Sequence, residues 1–437
     1  MFKILGKKVG SENQLILYIS IVLGIGLELL VLSFWREKYD YHYLPIVWFL
    51  GGLISSLAAI YISFMPAESI KSIPSTRSNN VIYIGLFVGL SLIVAYFLDQ
   101  LFIKNPYDPM QSDVLPTLQM MTQRLMNGEY PYHEIQFPGW AFSPGYLTMQ
   151  YLPFIFAEII HMDYRFFAYI VFILMITFFL WSGRFELSKL SMNDAIIKII
   201  LPFLAIKFIL SRTPGIFMHS VELLDAAYYL LLAYSFFNKS IYLRGIALAC
   251  CLLSRYGILF WLPAYGIIYF WEQGWHKTLK LSGIVFGAII VLYVLPFMTK
   301  DPMLFFNGIK VYDHMALSLW SNVPDWYQHI GKPYTLTQGV GFAIYFLDFW
   351  EGDMIDKISA IKWIQIASSI LVSAITIFIY YVKKTKIVDT SLYLLGSLSV
   401  YLTVFYSLIF APFSYLFIVP FFVLFAILCK VPLYFKK

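Results

Sequence analysis

Two acids and two arginines stand where chemistry at a membrane boundary would need them: Asp108 and Asp113 in the stretch Asp99–Pro153, and Arg212 and Arg255 further on. Asp113 opens a segment in which Val114, Leu118, Met121 and Leu125 recur at helical spacing. That period predicts a short amphipathic helix lying on the membrane surface. Pro116 is tolerated in its first turn, and Gly128 is placed to end it. Asp113 can cap this helix, and it can also hold a carboxylate, able to take a proton, at the water–lipid boundary. Asp108 sits between prolines in Asn-Pro-Tyr-Asp-Pro, the composition of a turn.

Arg255 falls in the break between two short apolar runs. An ionisable group so near the membrane interior is costly and tends to be functional, although arginine also snorkels to the interface. Arg212, beside Thr213 and Pro214 at another run's end, is the weaker candidate of the two. His219, Glu222 and Asp225 open the run that follows; Glu222 and Asp225 are three apart and share a helix face. They suit a cavity wall, and equally a pair of acids bonding Arg212 or Arg255; a metal site is the least favoured option. Glu28, inside the first apolar run, reads as a helix–helix hydrogen bond.

The elements that must position these groups are membrane helices. The 437 residues are 60% hydrophobic and only 13% charged, where soluble domains carry about 25% charge, and the mean hydropathy is +0.73. Several apolar runs reach the ~20 residues that cross a bilayer. The chain reads as an all-α polytopic membrane protein with about twelve spans, near 14–35, 43–64, 81–103, 164–183, 195–211, 219–237, 241–254, 257–272, 281–298, 358–382, 388–410 and 412–430. The first run continues past the length of a signal peptide without a cleavage site and reads as a retained span. Two long polar regions, 104–162 and 299–357, interrupt the spans. Segments 145–161 and 335–350 are too short to cross easily and read as surface or half-inserted helices.

Charge sets the orientation. With Lys3, Lys7 and Lys8 in the cytoplasm, the short inner loops hold Lys71 and Arg77, Arg184 and Lys189, Lys239 and Arg244, Lys277 and Lys280, Lys383, Lys384 and Lys386, and Lys430, Lys436 and Lys437. Every inner loop is basic. Both termini are then cytoplasmic, and both long loops face out. The net charge of +6 is topology, not a nucleic-acid surface. Cys250, Cys251 and Cys429 have no CxxC or Cys/His spacing, so a disulfide framework or structural zinc is not expected. No HExxH or HxxxH pattern argues for a zinc enzyme.

The run SDVLPTLQMMTQRLMNGEYPYHEI followed by SPGYLTMQYLP resembles the first external loop of the GT-C glycosyltransferases, and most nearly the family 87-like polyprenol-phosphate-dependent mannosyltransferases. The shared order is an acid, a surface helix, then G-x-x-P-Y, here Asp113, Gly128, Pro131 and Tyr132, followed by Pro144, Tyr146 and Pro153. HSVELLDAAYY through LSRYGILFWLPAY and PFSYLFIVP resemble the family's middle and terminal spans. The likeness covers about 90–430 in scattered pieces. It makes 1–437 one integral membrane domain, with an extra N-terminal helix pair at 1–80 where the family has a single leading span. The resemblance implies an inverting transfer of a sugar, mannose by analogy, from a polyprenyl phosphate to an acceptor hydroxyl outside the cytoplasm. The acceptor would be an envelope glycan, glycolipid or protein. Asp113 would be the general base. Arg255 and Arg212 would meet the lipid phosphate, and Tyr132, Tyr146, His219 and Glu222 would line the substrate site. A lipid monophosphate can be handled by arginine, and the first loop has no DxD, so no divalent metal or other cofactor is expected. In the second region Asp301, Tyr312, His314, Trp320, Trp326, Tyr327, His329, Lys332 and Tyr334 could bind sugar or anchor helices. Two other readings remain open. One is an O-antigen polymerase or ligase, which would lack the early acid–helix–G-x-x-P-Y order. The other is a transporter or lipid flippase, which would gather its charges at the bilayer midplane.

Overall fold

Apolar runs become helices in the computed structural model, which describes residues 11–33, 41–65, 77–181 and 192–431. The basic residues Lys3, Lys7, Lys8, Lys71, Arg184, Lys189, Lys436 and Lys437 lie outside the described residues. A helix occupies each expected span: α1 (Ser11–Ser33), α2 (Tyr43–Ile62), α3 (Arg77–Lys104), then, after α4 (Val114–Met126) in the first long loop, α5 (Tyr164–Trp181), α6 (Met192–Arg212), α7 (Glu222–Phe236), α8 (Ile241–Ser254) and α9 (Leu262–Gln273). Next come α10 (Trp275–Ile289, continued as a π-helix to Met298), α11 (Leu304–Ser321) in the second long loop, α12 (Met354–Lys383), α13 (Thr390–Ser407) and α14 (Ile418–Lys430).

Six of these, within α1, α2, α3, α5, α10 and α12, are long and apolar enough to cross a membrane. The other six fall short for visible reasons. α7, α8, α9 and α14 have only 12 to 15 residues. α6 carries Asp194, Lys198, Lys207 and Arg212, and α13 is rich in Ser, Thr and Tyr.

Those six include the innermost helices. α14 is buried throughout, and α7 nearly so. α14 packs on α1, α2, α6, α7 and α13, and α7 on α5 and α8. A helix hydrophobic on all sides belongs inside a bundle. The N-terminal pair is part of this bundle: α1 packs on α6 and α14, and α2 on α13. Asp194 ties α1 to α6, accepting from Tyr18 at 3.2 Å and pairing with Lys198 at 3.0 Å. The helix–helix hydrogen bond expected of Glu28 is not made. Both its carboxylate oxygens are buried without a partner among the described residues, because its neighbours across the interface, Gly52 and Thr403, bring it no bonded donor.

The segments expected not to cross break into short helices, Thr148–Tyr151 and Phe154–Ile159 in the first loop, Tyr334–Thr337 and Ala343–Phe349 in the second. The described residues hold one sheet, an antiparallel hairpin of β1 (Ile135–Phe137) and β2 (Trp140–Phe142). Its turn is Pro138-Gly139, with Gly139 at φ +87°, the second position of a type II turn.

Candidate functional site

α4 buries Val114, Leu118 and Met121 as its period requires and ends before Gly128, whose φ is +75°. Asp113 precedes it, with helical backbone angles (φ −78°, ψ −16°) and no side-chain capping bond. The capping role open to Asp113 is therefore not used: a capping residue needs extended angles to turn its oxygen back onto the helix. Ser112 takes that place, its Oγ accepting from Val114 N at 3.4 Å and donating to His219 O at 3.2 Å. This pins the head of α4 to the lead-in of α7. The Asp113 carboxylate is half-buried and bonds no side chain among the described residues. Burial raises its pKa above the ordinary carboxylate range. Asp108 is a turn residue, accepting from Met110 N at 2.9 Å.

Arg255 ends α8 in extended conformation (φ −147°, ψ 152°), which swings its side chain across to the head of α7. Its Nε donates to Asp225 Oδ2 at 2.9 Å, and its Nη2 donates to Glu222 Oε1. Gln150 of the first loop donates to the same Asp225 oxygen at 2.6 Å. Both acids are 1% exposed and the arginine 18%. One guanidinium thus faces two buried carboxyls, and its Nη1 has no hydrogen-bond partner among the described residues. Of the two alternatives for Glu222 and Asp225, the structure has the ion pair with Arg255. Glu222 is behind the arginine and not on the wall that a substrate would touch.

In front of Arg255 opens a cavity of about 2130 Å³. Asp113, Tyr132, Tyr146, Arg212, His219 and Arg255 all line it. Tyr146, Tyr312 and Tyr415 lie within electrostatic reach of both Asp113 and Arg255, so the two groups share one chamber. Burial pushes the phenols of Tyr132, Tyr146 and Tyr312 up, which keeps them neutral hydroxyl donors. Arg212 is exposed at the rim.

No protein-family model matches the chain, and no curated protein or solved structure matches it. What the site can do is read from its geometry.

The second loop closes the other side. Asp301, Tyr312, His314 and Tyr334 line the cavity. The other aromatics singled out there mostly have structural bonds: Trp320 is buried with Nε1 donating to Phe410 O at 2.7 Å, and Tyr327 accepts from Thr337 at 2.9 Å. His329 packs edge-on against Tyr327. Lys332 pairs with Asp348 at 2.6 Å. The Trp326 side chain lies outside the described residues. The two loops meet at Gly145 and Gly308; a Cβ on Gly145 would come 3.0 Å from Gly308 O. The absence of a Cβ at Gly145 gives that approach its room.

Sequence reasoning missed Tyr256, Asp313, Lys362 and Gln365 on the cavity wall. Lys362 pairs with Asp313 at 2.5 Å and lies over the Phe410 ring. The signal was present, since a lysine four residues inside an expected span needs a reason to be there. Among the described residues, no three or more His, Cys, Asp or Glu side chains are grouped to hold a metal ion.

Proposed function

We propose that this chain is a membrane glycosyltransferase of the GT-C type, moving a sugar from a polyprenyl phosphate to an acceptor hydroxyl on the non-cytoplasmic face. The observation that carries the reading is the pairing within one large cavity of an unpartnered, half-buried carboxylate, Asp113, with a fixed guanidinium, Arg255. A base and a cation at the leaving group are what an inverting displacement requires. Asp113 takes the proton from the acceptor hydroxyl. That oxygen attacks the anomeric carbon as the bond from carbon to phosphate oxygen breaks, and the lipid phosphate leaves with the electron pair. Arg255 donates to the phosphate as its charge grows; Glu222 and Asp225 hold the guanidinium rigid, so little reorganisation is needed at that moment. Arg212 at the rim meets the phosphate on its way in, and Tyr132, Tyr146 and His219 line the path of the sugar. Glu222 acts through Arg255 as a positioning residue. In this reading all twelve apolar helices span the bilayer, both termini are cytoplasmic, and the partners are a lipid-linked sugar and an envelope acceptor.

The test is sugar transfer by the purified protein in lipid nanodiscs, given polyprenyl-phosphate mannose or glucose and a membrane extract that holds the native acceptor. The expected result is release of polyprenyl phosphate matched by labelled sugar in the extract. No release from either donor by well-folded protein would refute the reading.

A further inference from the structure

The hairpin is rooted in the core, and its tip lines the cavity. Ile135 pairs with Phe142 and Phe137 with Trp140, so these four side chains share one face of the two-stranded ribbon. Ile135 is fully buried and roots the base. Above it the Trp140 and Phe142 rings stack, 5.2 Å apart and 18° from parallel, with Phe137 tilted against Trp140 at 4.9 Å. Trp140 is nevertheless 39% exposed, and Trp140 and Phe142 both line the cavity. The Gly145–Gly308 contact brings the start of α11 alongside. Asn307 and Asp301 line the same cavity, joined by an Asn307 Nδ2 to Asp301 Oδ2 bond of 3.4 Å.

A flat aromatic surface and a carboxylate–amide pair lining one cavity match one class of small molecule closely. A pyranose has an apolar face of C–H groups and a rim of hydroxyls. The positive C–H edges suit the negative face of an aromatic ring. Asp accepts and the Asn amide both donates and accepts, which suits neighbouring hydroxyls. Asp301 Oδ1 already accepts from Met303 N at 3.0 Å, and the remaining capacity of the Asp301–Asn307 pair is what a ring hydroxyl would use. We infer that the hairpin is a saccharide-binding subsite, and that the acceptor of the transferase reading, on which this inference rests, is a glycan whose pyranose ring lies on Trp140 beside Asp301 and Asn307.

The experiment measures binding without any donor. Full-length protein in nanodiscs is titrated with trisaccharides of mannose, glucose, galactose and N-acetylglucosamine, followed by saturation-transfer NMR. At least one should bind. Trp140→Leu should weaken that binding about tenfold, since an aliphatic side chain keeps the bulk and loses the ring face. Trp140→Phe should retain most of it, and Asn307→Ala should weaken it. If Trp140 only anchors the protein at the interface, Leu serves as well and binding is unchanged; that result overturns the subsite, as does failure of every trisaccharide to bind. Donor cleavage is assayed in parallel on the same samples. Cleavage without saccharide binding sinks the subsite alone, and saccharide binding without cleavage sinks the transferase reading while the subsite stands.

Discussion

Asp113→Asn separates chemistry from structure unusually well here, because the aspartate holds nothing up. Its side chain makes no capping bond and its backbone is already helical, so the ~1 kcal/mol that a true cap contributes is not at stake. Asparagine keeps the shape and cannot accept the proton. General-base removal is expected to lower the transfer rate on the order of 10²–10⁴-fold, about 3–5 kcal/mol in the barrier. The folded state should not suffer. Burial raises the pKa of Asp113 above that of the unfolded chain, so between the two values the native state binds more protons. Its stability therefore falls as pH rises through that window, and the full penalty of the charge is present above it. At neutral pH the Asn variant should then melt at the wild-type temperature or above. The difference should vanish at pH below the unfolded pKa. Transfer by the wild type should rise with pH along a limb displaced upward from the ordinary carboxylate range. Asp108→Asn is the control, as its bond to Met110 N can be kept by the amide oxygen. Wild-type transfer by Asp113→Asn would refute the assignment. A dead Asp108→Asn beside it would mean that the base is the other carboxylate.

Arg255→Ala should cost about 3–5 kcal/mol of stability, since it strands two buried acids; combining it with Glu222→Gln and Asp225→Asn should restore the melting temperature and leave transfer absent, and a recovered rate would remove Arg255 from the reaction. Gly145→Ala puts a methyl 3.0 Å from a backbone oxygen of the opposite loop, which must give by a few tenths of an ångström; the cost should be about 1 kcal/mol of stability, with transfer falling by less than the roughly 10²-fold of a ~1 Å misplacement, whereas Gly283→Ala, with nothing within 4 Å, should be silent in both melting and transfer assays. In a cysteine-free background, Gln111→Cys and Gly331→Cys should react with an impermeant maleimide on intact cells and Thr385→Cys should not; the reverse pattern would invert the topology.

The helices were legible because span length and the period of α4 are properties of consecutive residues. All twelve apolar runs are helical, and the acid-to-glycine stretch from Asp113 to Gly128 folds as its spacing says. α7, α13 and α14 read as spans in the sequence, but by length and composition they are not among the six helices fit to cross a membrane. Their burial comes from neighbours in the bundle, and a hydroxyl-rich or short helix inside a protein need not be as apolar as one facing lipid. The hairpin had a signal, Pro138-Gly139 between alternating aromatics, that the surrounding tyrosines and prolines obscured.

The site was legible one residue at a time and illegible as pairs. Arg255 stood out alone because a charge in an apolar run is conspicuous, and so did Glu222 and Asp225. That the arginine spends two of its donors on those acids follows from the extended backbone at the end of α8, which no local pattern announces. The pairing changes the chemistry expected of each. Glu222 moves from substrate contact to support, and Arg255 becomes a rigid cation partly neutralised from behind. A guanidinium so compensated attracts a resting phosphate monoanion less than a bare one would, and its advantage grows as the leaving oxygen gains charge. Interactions that strengthen towards the transition state raise the rate rather than the affinity. Arg255→Lys with both acids intact tests this step: lysine keeps the charge and lacks the fork that two carboxyls hold. Donor affinity should therefore change little while turnover falls. Weaker donor binding at unchanged turnover would show that the guanidinium serves binding alone.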